Sequence, residues 1–107
     1  MQKYKVQFTP KAVRQLREIV RVFFIDYDNP YGAQKIEKAI KNKCKKLEYM
    51  PKAAEIFGVV DDIEFRITTV MHSAIVYSVN DSARIVTIHR IEYSRRDILR
   101  AILGEGE

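Results

Sequence analysis

Residues 89–97 read His89-Arg90-Ile91-Glu92-Tyr93-Ser94-Arg95-Arg96-Asp97, an imidazole, a phenol, three guanidiniums and two carboxylates within nine residues. Cleavage of RNA by its own 2′-hydroxyl needs a base, an acid, and cations that stabilise a charged phosphorane. His, Tyr, Glu and Arg supply all three. In that chemistry His89 or Tyr93 is the acid/base, and Arg66, Arg90 and Arg95 hold the phosphate. Arg66 is expected on the polar side of its strand, adding a cation across the sheet. The same residues have an ordinary structural use. Arg95, Arg96 and Asp97 suit a helix start with surface ion pairs, and Tyr93 suits a core tyrosine with a wet hydroxyl.

Other site types are excluded by what is missing. The four glycines, at 32, 58, 104 and 106, form no phosphate-cradling loop. Two histidines, His72 and His89, and the single Cys44 do not stand at metal-ligand spacing, so neither a metal nor a cofactor is expected. Cys44 falls on the apolar stripe of a helix, where a structural role is the usual one.

These side chains would sit at the end of a last strand and the start of a last helix, so the elements before them must build the frame. Tyr4, Val6 and Phe8 alternate with Lys5 and Gln7, the period of a half-buried strand. Thr9-Pro10 is an N-cap followed by a first-turn proline. Ala12, Val13, Leu16, Ile19, Val20, Phe23, Phe24 and Tyr27 then recur at helical spacing, opposite Lys11, Arg14, Arg17, Glu18 and Arg21. Asp28-Asn29-Pro30 breaks that helix and starts a second, with Ala33, Ile36, Ile40, Cys44 and Leu47 on one stripe and lysines elsewhere. The short break predicts a helical hairpin with both stripes on one core. Residues 52–62 read as a loop turning at Gly58. Three strands are expected next: residues 63–69 by alternation, 72–79 by β-rich composition before the turn Asn80-Asp81-Ser82, and 84–91 with apolar residues on both faces, as in mid-sheet. Ser94 and Asp97 resemble a capping box for a final short helix. The expected architecture is a two-layer α+β domain over residues 1–107, order β-α-α-β-β-β-α, with an antiparallel-type sheet covered on one face and open on the other.

Composition narrows the class. Of 107 residues 47% are hydrophobic, enough for one core and against disorder. No apolar run approaches the roughly 18–20 residues that span a bilayer, and residues 1–8 lack a signal-peptide core. One cysteine allows no internal disulfide, which fits a reducing cytoplasm. The net charge of +5 is unevenly spread: residues 11–46 carry ten basic and four acidic side chains, residues 48–64 one basic and five acidic, residues 84–100 five basic and two acidic. Two basic stretches around an acidic connector suit an acidic partner, and equally a solvated surface.

Several segments in the right order resemble the RelE/ParE superfamily of type II toxin–antitoxin toxins: Tyr4-Lys5-Val6-Gln7-Phe8-Thr9-Pro10-Lys11-Ala12, the Asn29-Pro30 break, residues 47–51, and Arg90 to Ile98. The resemblance spans nearly the whole chain. It implies a small sheet with an N-terminal helical hairpin, control by a cognate antitoxin, and one of two activities. RelE-like members cleave mRNA, usually on the ribosome, whereas ParE-like members inhibit DNA gyrase without being nucleases. RelE-like sites use an arginine on the strand after the hairpin, where Arg66 or Thr69 falls, and a late-strand arginine, which Arg90 matches. They also use a His, Tyr or basic group near the C-terminus, which His89 or Tyr93 matches. Ser94-Arg95-Arg96-Asp97-Ile98 is shared with ParE-like members, where no catalytic role follows. The coincidence of His89, Arg90 and Tyr93 points first to a ribonuclease. A non-toxic interaction domain is the third alternative.

Overall fold

The computed structural model describes residues 3–93. Strand β1 (Lys5–Phe8) leads into helix α1 (Pro10–Arg21), a π-helical turn (Val22–Asp26) and helix α2 (Pro30–Lys46), followed by β2 (Ile56–Val60), β3 (Ile63–Val70), β4 (Ser73–Asn80) and β5 (Ile85–Tyr93). The helix expected after Ser94 lies outside the described residues.

Both helix starts follow local chemistry. The Thr9 hydroxyl accepts from the Ala12 N–H at 3.1 Å, and the Asn29 carboxamide oxygen accepts from the Gly32 N–H at 2.8 Å, each with proline next in the chain. The α1 stripe ends earlier than its periodicity predicts. The chain widens into the π-turn, and Phe24 and Tyr27 are 53% and 59% exposed instead of facing the core. One residue is gained per π-turn, so the side chains beyond it rotate off the stripe.

The sheet order is β1-β5-β4-β3-β2. It is mixed, which corrects the antiparallel expectation: β1 runs parallel to β5, and the other pairs are antiparallel. Parallel pairing follows from the intervening crossover, because β1 reaches β5 only after the helices and three strands have been laid down. A second correction concerns residues 52–62. Ile56–Val60 is an edge strand paired with β3, and the turn lies at Asp61-Asp62 rather than at Gly58. Neither this turn nor Met71-His72 contains glycine, yet all four residues have φ between 46° and 66°, as a two-residue type I′ hairpin turn requires. β5 is flanked by two strands, as its two-sided apolar pattern predicts.

Both helices pack on one sheet face. Ala12, Leu16 and Ile19 of α1 and Ile36, Ile40 and Cys44 of α2 meet Ile75, Tyr77, Val86, Ile88 and Ile91 in a single core. Burial pushes the Cys44 thiol up to about 12, so it is an apolar filler, not a nucleophile. Among the described residues no helix is long and apolar enough to cross a membrane.

Candidate functional site

The end of β5 is shaped by a bulge. Ile88 stands opposite Tyr77 and Arg90 opposite Val76, leaving His89 as the extra residue. Ile88 and Ile91 are both buried in the helix-side core, so the two residues between them, His89 and Arg90, are displaced to the outer face. Past Phe8 no strand flanks this part of β5, and α1 takes over the edge. Thr9 Oγ1 donates to the His89 carbonyl at 3.1 Å, and the Gln15 carboxamide oxygen accepts from the Ile91 N–H at 2.8 Å. Two side chains thus replace the missing ladder bonds.

His89 is half-buried against the outer sheet face. Its Nε2 lies 2.7 Å from Ser78 Oγ, and its ring meets Phe65 edge-on at 5.0 Å. Burial lowers its pKa below the ordinary value, so the ring is neutral at pH 7. Arg90 is already engaged. Its Nε and Nη2 donate to Glu92 Oε2, which also accepts from Gln15 Nε2 at 3.0 Å. Tyr93 belongs to the helix side, where its ring packs edge-on against Phe23 at 5.3 Å, and Phe23 in turn against Tyr27 at the same distance. Burial, with Tyr27 nearby, raises its pKa, which makes the phenol a weaker acid.

Arg66 departs from the expectation. It stands opposite Tyr77, a core residue, and cross-strand partners share a face. Its guanidinium therefore lies on the helix side, where Nη1 donates to the Ala54 carbonyl at 2.6 Å and to the Lys52 carbonyl at 3.4 Å. His89 is on the other face of the sheet. The expected cation across the sheet is thus a clamp on residues 52–54. Thr69, the alternative at this alignment, stands opposite Ala74 and is exposed. Arg95 lies outside the described residues.

The structure brings together His89 and Arg90 on one face and joins Arg90 to Glu92. It separates both from Arg66, and it turns Tyr93 into the aromatic cluster of α1. Gln15, Ser78 and Phe65 contribute to the site from positions up to 77 residues away in sequence. Their only sequence signal is polarity or apolarity at a strand or helix position, which many residues share.

A groove of about 700 Å³ runs between α1, α2 and β1, floored by Val6, Phe8, Leu16, Val20 and Cys44 and rimmed by Arg17, Arg21, Lys41 and Lys45, with Glu37 and Glu48. It is apolar inside and mostly basic at its lips. The lysine face of α2, which from sequence suited an acidic partner and a solvated surface equally, supplies two of the four cations.

Comparison with known proteins bears on both features. Residues 6–98 match the family described as the ParE toxin of type II toxin–antitoxin system, parDE. The chain belongs to that family. Curated proteins contain no match to the toxin's sequence. Its fold is shared with the chromosomal ParDE toxin–antitoxin system of P. aeruginosa, at 20% identity and TM-score 0.68, covering 86% of this chain and 97% of that one. A RelBE toxin–antitoxin complex of Mycobacterium tuberculosis matches at 18% identity and TM-score 0.64, covering 85% and 98%. The intact E. coli RelBE complex matches at 16% identity and TM-score 0.62, covering 85% and 96%. The toxin's α+β architecture is therefore that of RelE and ParE toxins, and the resemblance read from its segments holds over the whole described domain.

Proposed function

We propose that this toxin arrests growth by binding DNA gyrase without catalysing a reaction, and that a cognate antitoxin neutralises it by seating an amphipathic, acidic segment in the basic-lipped groove. The observation that carries the first part is the dispersal of the ribonuclease constellation. Arg66 lies on the helix side and donates through Nη1 to backbone carbonyls of residues 52–54, Arg90 is paired with Glu92, and Tyr93 is turned toward Phe23. No cation of this set is free to meet a phosphorane beside His89 among the described residues. The groove supports the second part, since an apolar floor with cationic lips fits a helix that is apolar on one side and acidic on the other.

One observation favours the ribonuclease reading, with mRNA on the ribosome as target. The bulge presents His89 and Arg90 together on the open face, as an acid/base and a phosphate ligand would need.

Induced expression separates the two. A gyrase inhibitor leaves transcripts intact by primer extension while supercoiling by purified gyrase falls, and Tyr93→Phe stays toxic. Cut transcripts, with toxicity lost in Arg90→Ala and Tyr93→Phe proteins that remain folded, would establish the nuclease instead. Harmless expression of folded protein would exclude both activities and leave a binding module.

A further inference from the structure

The groove and the β5 bulge are basic or neutral, but the opposite end of the sheet has the other sign. β2 is the terminal strand, and no strand among the described residues pairs with its outer edge. Along β2, Phe57, Val59 and Val60 are 58–60% exposed and Ile56 is 43% exposed, with Ile63 of β3 beside Val60 at 46%. Proteins ordinarily blunt such an edge with lysine or proline, and β2 contains neither. Its flanks are acidic instead: Glu55 at one end, and Asp61, Asp62 and Glu64 at the other, all exposed and none in an ion pair among the described residues.

Gly58 adjoins the irregularity at which the β2–β3 ladder shifts, between Ile56 and Gly58, a kind of place where strand glycines are common. A Cβ built there would meet nothing within 4 Å, so no atom of the toxin itself crowds this stretch of the edge.

We propose that the free edge of β2 is a strand-addition site for an extended segment of a partner protein, apolar at its centre and carrying Lys or Arg at both ends. The two-residue turn makes Val60–Ile63 a hydrogen-bonded pair. Val59, one residue back, therefore points its N–H and C=O to the open edge, ready to pair with an incoming strand. Charge decides the occupant. A second copy adding antiparallel about Gly58 would set Glu55 of each copy against Asp61 or Asp62 of the other, and a parallel copy would stack each acid on itself. Like charges directly opposed across strands destabilise the pair. An acidic antitoxin segment is repelled for the same reason, so this site and the groove select partners of opposite sign. The inference rests on neither reading of the toxin's activity.

The test is selection of extended peptides from a random library on the full-length toxin. Expected winners carry Lys or Arg on both sides of a β-branched or aromatic centre. Val59→Pro, which removes the outward N–H but leaves the β3 ladder, should weaken them by at least about tenfold, equivalent to about 1.4 kcal/mol. Glu55→Lys/Glu64→Lys, at two exposed positions, should switch selection to acidic peptides, and this variant decides the matter if Val59→Pro fails to fold. Neutral or acidic winners on the native toxin, winners that bind Val59→Pro equally well, or no enrichment at all would overturn the proposal. So would a dimer in sedimentation that Val59→Pro dissociates, which would give the edge to a second copy.

Discussion

His89 shows how a residue with catalytic chemistry can be held in a structural state. Its imidazole is wedged between Phe65 and Ser78, and its pKa is lowered because burial disfavours the charged ring. The sign for stability follows directly. The unfolded chain takes up a proton at its ordinary value of about 6.5, before the folded chain does. Stability is therefore lost as pH falls below that value, and the loss ends once the folded ring is also protonated. Denaturant unfolding of the wild type and His89→Gln between pH 7.5 and 5 should show a steeper loss in the wild type. Parallel curves would mean that His89 is not the group responsible. Arg90 and Arg66 show a related effect: Arg90 is held by Glu92 through Nε and Nη2, and Arg66 is held by the carbonyls of residues 52–54 through Nη1, on the face opposite His89.

At the scale of elements, α2 is the piece that ties the fold together. Ile36, Ile40 and Cys44 project into the sheet while lysines cover its solvent side. Ile40 is fully buried, so Ile40→Ala removes packed methylenes and leaves a cavity between helix and sheet. That should cost about 2–5 kcal/mol, read as a lower midpoint in chemical unfolding at unchanged slope. A cost below about 1 kcal/mol would mean that the core collapses around the gap. The junction between α1 and β5 is a different device. Gln15 and Thr9 stand in for a strand that stops at Phe8, so the bulge at His89 is supported by a helix rather than by a ladder.

The whole molecule is electrically divided. The groove between α1, α2 and β1 has four cations at its lips, whereas the far edge of the sheet carries Glu55, Asp61, Asp62 and Glu64. An antitoxin segment in the groove should therefore lose affinity as salt is raised, while the apolar floor preserves part of it. In titration calorimetry with the cognate antitoxin, Arg17→Glu/Lys41→Glu should weaken binding and flatten its salt dependence. A basic antitoxin, or an affinity unchanged between low and high ionic strength, would show that charge does not guide this pair.

Sequence alone determined whatever depends on neighbours in the chain. The caps at Thr9 and Asn29, the stripe Ala33-Ile36-Ile40-Cys44, the burial of Cys44 and the mid-sheet position of a strand over residues 84–91 all follow from spacing within one element. Ile56–Val60 escaped, because Ile-Phe-Gly-Val-Val lacks alternation, and it becomes a strand only when β3 supplies the ladder. Met71-His72 gave no turn signal, since it contains none of the Asn, Asp or Gly that mark such hairpin turns. Tertiary structure alone decided the site. A strand's alternation says that Arg66 and Phe65 face opposite ways, but not which way each faces. That is set by register against Tyr77 and Ser78, and by a one-residue bulge that turns His89 and Arg90 outward together. Register is a property of pairs of strands, so no single stretch of this sequence could carry it.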